Sequence, residues 1–129
     1  MDQIAREASM YFDHFVEAFA TFEGENVARL FTFPYLSVDH NGNRRVFSKF
    51  EETAKYFQEH LDSYKSSGSK SCSYDSLEVT PIGERGALAA VTWSLRNAAG
   101  SEINTWRESY CVLRNSGQML AYASIDHAT

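Results

Sequence analysis

Side chains that could transfer protons recur on the last strands predicted from this sequence. Glu108, Tyr110 and Asp126 occupy even-numbered positions, and Arg96 does so on the preceding strand. Since alternate residues of a strand point to one side of the sheet, these side chains are predicted to share a face. A carboxyl group partly removed from water there could donate or accept a proton. The alternative is a structural ion pair between Arg96 and Glu108 or Asp126.

A second candidate for proton transfer is Asp39, which closely precedes the dipeptide Asn41-Gly42. An aspartate that aromatic rings shield from water has a raised pKa and could move a proton between carbons next to a carbonyl group. Aspartate is also a common turn residue beside Asn-Gly. The sequence leaves both interpretations open.

The other residue types that often carry chemistry show no informative spacing. His40, His60 and His127 do not follow a metal-ligand pattern. Cys72 and Cys111 lie far apart, neither in a Cys-x-x-Cys pair, and are predicted to be reduced, buried thiols. Nucleophile-elbow, phosphate-binding and dinucleotide motifs do not occur. We therefore expect no metal and no cofactor.

Composition limits the number of domains and the kinds of partner. The 129 residues suit one hydrophobic core, so a single domain over residues 1–129 is predicted. A net charge of -5 repels phosphate backbones, and nucleic acid is not expected as a partner. No apolar run approaches the roughly 20 residues that span a bilayer, and the first residues do not resemble a signal peptide. We expect a cytoplasmic protein that does not enter membranes.

Three helices are predicted in the N-terminal half. Apolar residues at three- and four-residue steps predict a first helix over Ile4–Phe19. A shorter stretch, Asn26–Phe31, predicts a second helix before Pro34. Ser48 and Glu51 form a capping-box pattern that begins the third helix, which ends at a Ser-Ser-Gly sequence.

Strands make up the remainder of the sequence. Asn41-Gly42 predicts a type I′ hairpin turn between residues 35–40 and 43–47. After Lys70 the hydrophobic period changes to two and the joints are short and contain glycine, which predicts an antiparallel meander. Its four strands are predicted at Ser71–Ile82, Gly86–Asn97, Glu102–Arg114 and Gln118–His127.

Alternation along these strands gives two unequal faces. Odd positions are mostly apolar, as at Val91, Trp93, Leu95, Cys111, Ala123 and Ile125. Even positions mix rings with polar groups, as at Thr92, Ser94, Trp106, Glu108, Tyr110, Tyr122, Ser124 and Asp126. Helices over the odd face would leave the even face in solvent. Helices over the even face would make it a cavity wall, and the apolar face would then need a partner, since a monomer seldom exposes a large apolar patch.

The order of helix, short helix, Asn-Gly hairpin, helix and four-stranded meander resembles the NTF2-like superfamily, the cone-shaped fold of ketosteroid isomerases and SnoaL-like proteins. The resemblance extends from about Phe15 to His127, and its local marks are residues 15–31, the hairpin that enters the third helix, and residues 112–127. It implies an α+β fold in which three N-terminal helices pack on a strongly curved antiparallel sheet, the cystatin/NTF2-like cone.

The resemblance also implies which face is covered. In this family the cavity lies between the helices and the concave sheet, which assigns the even set to the cavity. Members commonly dimerise through the convex face, which suits the apolar odd set. A homodimer through Val91, Trp93, Leu95, Cys111, Ala123 and Ile125 is therefore expected.

Residue by residue, the resemblance gives a partial match to the enzymes of the family. Asp39 falls at the position of the isomerases' catalytic base, and Tyr110 at that of an acid that donates a hydrogen bond to an oxyanion. Phe15 stands where the isomerases carry a tyrosine, so steroid isomerisation is not expected. Trp106 stands where the epoxide hydrolases carry an arginine, which argues against that activity as well.

The sequence thus predicts a small-molecule-binding protein, with Asp39 as proton shuttle and Tyr110 as hydrogen-bond donor. Its activity would be that of a cofactor-free isomerase, dehydratase or cyclase on a hydrophobic, oxygenated ligand. The expected ligand contacts are His14, Phe15, Phe57, Thr92, Ser94, Trp106, Glu108, Tyr122, Ser124 and Asp126. The alternative is a non-catalytic homodimerisation or association module. Asp39 favours the first hypothesis, and Phe15 favours the second.

Overall fold

The computed structural model of the protein describes residues 2–128 and has α+β architecture. Its elements are α1 (Gln3–Ala20), α2 (Gly24–Ala28), β1 (Phe31–Val38), β2 (Arg44–Phe47), α3 (Phe50–Ser66), β3 (Ser71–Ile82), β4 (Gly86–Arg96), β5 (Glu102–Asn115) and β6 (Gln118–Asp126). The six strands form one sheet in the order β2-β1-β6-β5-β4-β3. Neighbouring strands are antiparallel except β1 and β6, which are parallel. The predicted arrangement of three helices packed on a curved sheet is confirmed, but the sheet is mixed and not purely antiparallel as predicted.

The first helix carries the main apolar contact with the sheet. It begins at Gln3 because the Asp2 carboxylate accepts a hydrogen bond from the backbone N–H of Ala5 at 2.8 Å. Its buried residues are Ile4, Ala8, Tyr11, Phe12, Phe15 and Phe19, as the helical spacing predicts. The rings of Phe12 and Phe15 contact Trp93 on β4. Within residues 2–128, no helix has the length and apolar character of a bilayer span.

The second and third helices differ from prediction at their ends. Helix α2 ends at Ala28, so Phe31 begins β1 instead of ending a helix. The capping glutamate of α3 is Glu52 instead of Glu51, since the helix begins at Phe50 and not directly after Ser48. The Oε1 atom of Glu52 accepts a hydrogen bond from the backbone N–H of Ser48 at 2.9 Å. The capping interaction is therefore displaced by one residue.

The pairing register between β4 and β5 corrects the predicted faces of the sheet. Trp93 lies opposite Trp106, and Val91 lies opposite Glu108. Directly opposed residues of an antiparallel pair point to the same face. Odd positions of β4 therefore share a face with even positions of β5, so odd or even numbering does not mark one face across the sheet.

This register moves five residues from their expected places. Val91, Trp93 and Leu95 point inward and are buried, with at most 2% of each exposed, so they cannot form the expected subunit interface. Thr92 and Ser94 alternate with them and point to the outer face, away from the helices. The apolar odd positions of β4 therefore belong to the core, as expected if the helices cover the odd face of this strand.

Strand β6 changes face along its length. Its ladder with β5 shifts by one residue between Cys111 and Val112, which leaves Tyr122 without an opposed residue. Odd positions point inward before the shift, as at Ala121, and even positions do so after it, as at Asp126. Such a bulge bends the strand and re-aims the side chains beyond it.

Candidate functional site

A cavity of about 380 Å³ lies between α3 and the inner face of β1, β4, β5 and β6. This volume is at the lower end of the range of about 300–1,000 Å³ found for small-molecule sites. Ten of its 21 lining residues carry the ring of a phenylalanine, tyrosine or tryptophan: Phe15, Phe19, Phe31, Tyr35, Tyr56, Phe57, Tyr64, Trp93, Trp106 and Tyr110. The fold thus provides a chamber for a small ligand in which aromatic rings and polar groups both line the wall.

Two acidic side chains face each other at one end of the cavity. Glu108 on β5 lies directly opposite Asp126 on β6, and both line the chamber. A hydrogen bond joins their carboxyl groups, and the indole Nε1 of Trp106 donates another to Oε1 of Glu108 at 2.9 Å. We call Glu108 and Asp126 the carboxyl pair. Two carboxylates this close cannot both ionise easily, so the pair holds one proton between them.

The proton belongs mainly to Glu108. Burial raises the pKa of Glu108 to about 8, and the negative charge of Asp126 acts in the same direction. Burial also raises the pKa of Asp126, while the hydrogen bond from Glu108 lowers it. At neutral pH the pair therefore consists of a carboxylic acid that donates to a neighbouring carboxylate.

Hydroxyl groups surround the pair and are held in fixed positions. The hydroxyls of Tyr35 and Ser124 share a hydrogen bond of 2.6 Å. The hydroxyl of Tyr110 accepts a hydrogen bond from Nε1 of Trp93 at 2.8 Å. Burial raises the pKa of Tyr35 and of Tyr110, so both remain neutral. Tyr110, the hydrogen-bond donor predicted from the sequence, lines the cavity, and its hydroxyl accepts the hydrogen bond from Trp93.

Three histidines from separate parts of the chain line the same cavity. They are His40 after β1, His60 on α3 and His127 after β6. Burial lowers the pKa of His60, whose ring lies 4.4 Å from the ring of Tyr56, and the imidazole is therefore neutral near pH 7. Among residues 2–128, no three His, Cys, Asp or Glu side chains are grouped so that they could hold a metal ion.

Asp39 lies in the hairpin turn and is not part of the cavity wall. Its carboxylate accepts hydrogen bonds from the backbone N–H groups of Asn43 at 3.0 Å and Asn41 at 2.9 Å. These bonds, the one from Asn43 first, lower the pKa of Asp39. Gly42 has a φ of 84°, whereas Asn41 does not adopt positive φ, so the turn is not type I′. The geometry fits the turn-residue interpretation of Asp39 and gives no support to a catalytic base.

Six of the other expected site residues line the cavity and four do not, while Ser124 is buried beside the lining residue Tyr35 and is not itself part of the wall. Phe15, Phe57, Trp106, Glu108, Tyr110 and Asp126 line the cavity. His14 is exposed on α1, and Tyr122 is 41% exposed at the bulge of β6. On the outer face, Thr92 accepts a hydrogen bond from Arg107, and Ser94 donates one to Glu102. The structure therefore removes His14, Thr92, Ser94 and Tyr122 from the candidate site.

The expected ion pair of Arg96 is not formed with either carboxylate of the pair. Arg96 lies opposite Glu102 at one end of the ladder, whereas Glu108 pairs with Val91 near its middle. Its Nη1 atom donates to the carbonyl oxygen of Gly100 at 3.1 Å. The interaction of Glu108 with Asp126 consequently takes the place of a pairing with arginine.

One part of the wall, on α3, was not predicted from the sequence although its residues have a regular spacing. Tyr56, His60 and Tyr64 follow each other at intervals of four residues, which places them on one face of α3. This face of α3 lines the cavity opposite the carboxyl pair, and the ring centroid of Tyr64 lies 6.1 Å from that of Trp106. The spacing alone could have marked this polar-aromatic stripe as distinct from an ordinary core stripe.

A cone of helices and curved sheet that encloses a cavity with a polar end defines the class of NTF2-like proteins. The family model described as NTF2-like protein (DUF6841) matches residues 6–128, and the chain belongs to this family. No curated protein matches the sequence.

Solved structures show the same fold at low sequence identity. Aln2 from a Streptomyces species has a TM-score of 0.78 and 11% identity, over 99% of this chain and 92% of that one. A ketosteroid isomerase-like protein from Erwinia carotovora atroseptica has a TM-score of 0.72 and 12% identity, over 98% and 97%. A putative calcium/calmodulin dependent protein kinase II association domain from Xanthomonas campestris has a TM-score of 0.72 and 20% identity, over 96% and 86%. These likenesses establish the fold alone.

Proposed function

We propose that this protein binds a small, hydrophobic, oxygenated molecule in its cavity, and that the carboxyl pair transfers protons to and from it. The observation that carries the proposal is the pair itself, an acid and a carboxylate side by side at the end of an aromatic chamber. Protonated Glu108 is the general acid, and ionised Asp126 is the general base. In this proposal the carboxyl pair, and not Asp39, transfers the protons.

A cofactor-free isomerisation, dehydration or cyclisation requires one proton to be removed and another to be supplied. In a dehydration, Asp126 takes the proton from a carbon next to a carbonyl group, the electron pair forms a carbon–carbon double bond, and the carbon–oxygen bond of the hydroxyl breaks. Glu108 protonates that hydroxyl, which leaves as water. Transfer of the proton from Asp126 back to Glu108 restores the starting state, because the two side chains are hydrogen bonded.

Ligand access to the cavity can be tested with the neutral fluorescent probe N-phenyl-1-naphthylamine. We expect the native protein to bind the probe, because the chamber is lined with rings. His60→Trp places a larger ring in the cavity and should weaken binding by about tenfold, equivalent to about 1.4 kcal/mol. His14→Trp is the matched control, since His14 is exposed on α1. Equal probe affinities in the two variants would show that the probe does not enter the cavity.

The shared proton can be tested by following the side-chain carboxyl carbons by NMR across the pH range. We expect Glu108 to stay protonated up to about pH 8. Asp126→Asn should lower the apparent pKa of Glu108, because it removes the neighbouring negative charge. If Glu108 titrated at its ordinary value of 4.5 in the native protein, the acid–base proposal would be wrong.

A second candidate function, homodimerisation, is favoured by the outer face of the sheet. A continuous row of apolar residues crosses five strands through their pairing partners, and we call it the outer apolar row: Leu88, Cys111, Ala123, Leu36 and Val46. Beside it, Ile125 is 47% exposed. Of the residues first expected at the interface, Cys111, Ala123 and Ile125 lie on this face. We propose that two copies of the chain bury this row against each other.

Sedimentation velocity tests the dimer. The native protein should sediment as a dimer at micromolar concentration, and Val46→Glu should sediment as a monomer, because an isolated charge in an apolar interface is costly. Met10→Glu is the control, since Met10 is 55% exposed but lies on α1, on the other side of the sheet from the row. A monomeric native protein would refute the interface.

A further inference from the structure

We infer that the ligand of this cavity carries a cationic nitrogen, which lies between the carboxyl pair and the rings of Tyr56, Tyr64 and Trp106. This inference rests on the proposed function, since it assigns the chemical class of the group that meets the pair. The observations that support it are the charges, the hydrogen-bonding groups and the rings of the wall.

The charges of the wall favour a cation. Within the described part of the chain, the lining residues include the two acids of the carboxyl pair and no lysine or arginine. Arg45 on β2 is exposed, and its guanidinium carbon lies over the rings of Phe47 and Tyr56, at 4.9 and 5.2 Å from their centroids. The chamber therefore carries negative charge with no fixed positive group in its wall, and it disfavours carboxylate and phosphate ligands.

The hydrogen-bonding groups of the cavity wall also favour a ligand that donates hydrogen bonds. The hydroxyls of Tyr35 and Ser124 bond to each other, and that of Tyr56 bonds to Ser37 at 3.0 Å. The indole N–H of Trp106 is directed at Glu108. The indole N–H of Trp106 and one O–H of each hydroxyl pair are thus engaged, whereas a carboxyl pair has several oxygen lone pairs to offer. A ligand group that donates without accepting, such as an ammonium, matches this surplus.

The rings supply the second half of a cation site. Tyr56, His60 and Tyr64 project from one face of α3, and the ring of Tyr64 lies 6.1 Å from that of Trp106 on β5. Aromatic faces attract a cation within about 6 Å of their centroids, and tryptophan does so most strongly. A nitrogen placed between this row of rings and the pair would have both attractions at once.

Binding of a cation should be coupled to release of the proton on Glu108. The titratable groups that line the cavity or act electrostatically on the pair come from every surrounding element: Tyr11 on α1, Tyr35 on β1, Asp39 and His40 in the turn, Tyr56, His60 and Tyr64 on α3, Tyr110 on β5, and His127 after β6. Arg45 on β2 acts on His60. A cation beside the pair lowers the pKa of Glu108 from about 8 toward neutrality, so partial proton release and tighter binding at higher pH are expected. The fraction of Glu108 that stays protonated still serves as the general acid.

The test compares two probes of the same shape, benzyltrimethylammonium and its neutral carbon isostere neopentylbenzene. A quaternary nitrogen does not titrate, so pH effects report on the protein. Competition against N-phenyl-1-naphthylamine should give the cation at least about tenfold higher affinity than the isostere in the native protein. Glu108→Gln and Asp126→Asn should each reduce this ratio, whereas Glu84→Gln, at an exposed position, should leave it unchanged.

Calorimetry in two buffers of different ionisation enthalpy provides the second measurement. Near pH 7 the cation should release up to one proton on binding to the native protein and none on binding to Glu108→Gln. If the isostere binds and the cation binds no better, the cation inference is wrong while the cavity function stands. If neither molecule binds and the fluorescent probe does not bind either, both proposals fail. A cation preference without proton release would place the nitrogen away from Glu108 and overturn the inference.

Discussion

Glu108→Gln should be more stable than the native protein, and the difference should grow as the pH rises from about 5 to about 8. The pKa of Glu108 is raised from an ordinary value of 4.5 to about 8 in the folded protein. Between these values the unfolded chain has released the proton and the folded protein still binds it, so stability falls with rising pH. Glutamine does not titrate and keeps a group that can donate to Asp126. We expect a gain of about 2–4 kcal/mol at pH 8 and almost none at pH 4.

The measurement is urea unfolding of both proteins at several pH values, with Glu84→Gln as the charge-matched control on the surface. His60 contributes in the opposite direction, because its lowered pKa makes stability rise with pH up to its ordinary value of 6.5. The difference between native and variant at each pH removes this contribution. Parallel stability curves for the two proteins would show that Glu108 is not held in its protonated form.

A gain of stability in Glu108→Gln would also indicate that Glu108 has a functional role. An acid buried beside another acid is unfavourable for folding, and natural proteins keep such groups mostly where they act on a ligand. A variant that gains stability and loses the cation preference would link the two properties to one side chain. The same residue would then account for the pH dependence of folding and of binding.

Gly24→Ala should destabilise the protein by more than about 3 kcal/mol or prevent folding. Helix α2 crosses α3 so closely at this glycine that a Cβ atom would press against the carbonyl oxygen of Ala54 and lie 2.7 Å from the backbone nitrogen of Gln58. Neither backbone group can move away without displacing α3. The crossing is also tied by the N–H of Gly24, which donates to Oε1 of Gln58 at 2.7 Å.

Gly100→Ala is the matched control, because Gly100 has a φ of 80° but open space around the position of a Cβ atom. Its cost should be the backbone penalty alone, about 1–2 kcal/mol. Thermal or urea unfolding of the two variants separates the two effects. Since Val27 on α2 and Leu61 on α3 both line the cavity, any folded Gly24→Ala protein should also bind the fluorescent probe more weakly. Equal losses of stability in the two variants would contradict the close crossing.

Local chemistry determined much of the fold. The predicted strand Ser71–Ile82 is the observed β3, and the other three strands of the meander were placed to within one residue at each end. Alternating side chains and glycine-containing joints are properties of neighbouring residues, so a single sequence carries them. The displaced capping glutamate, Glu52 in place of Glu51, shows the usual limit of such local signals.

What only the tertiary structure decided is which side chains meet. The sequence predicted that both members of the carboxyl pair share one face. It also predicted, from even and odd numbering, that Thr92 and Ser94 of β4 lie on this face and that Val91 lies on the outer face. The pairing register puts Val91, not Thr92, opposite Glu108, and the bulge at Tyr122 changes the inward positions of β6 from odd to even. Register depends on hydrogen bonds between distant segments, and a shift of one residue moves every side chain to the other face. For the same reason, His40, His60 and His127 show no common spacing along the chain and still surround one cavity.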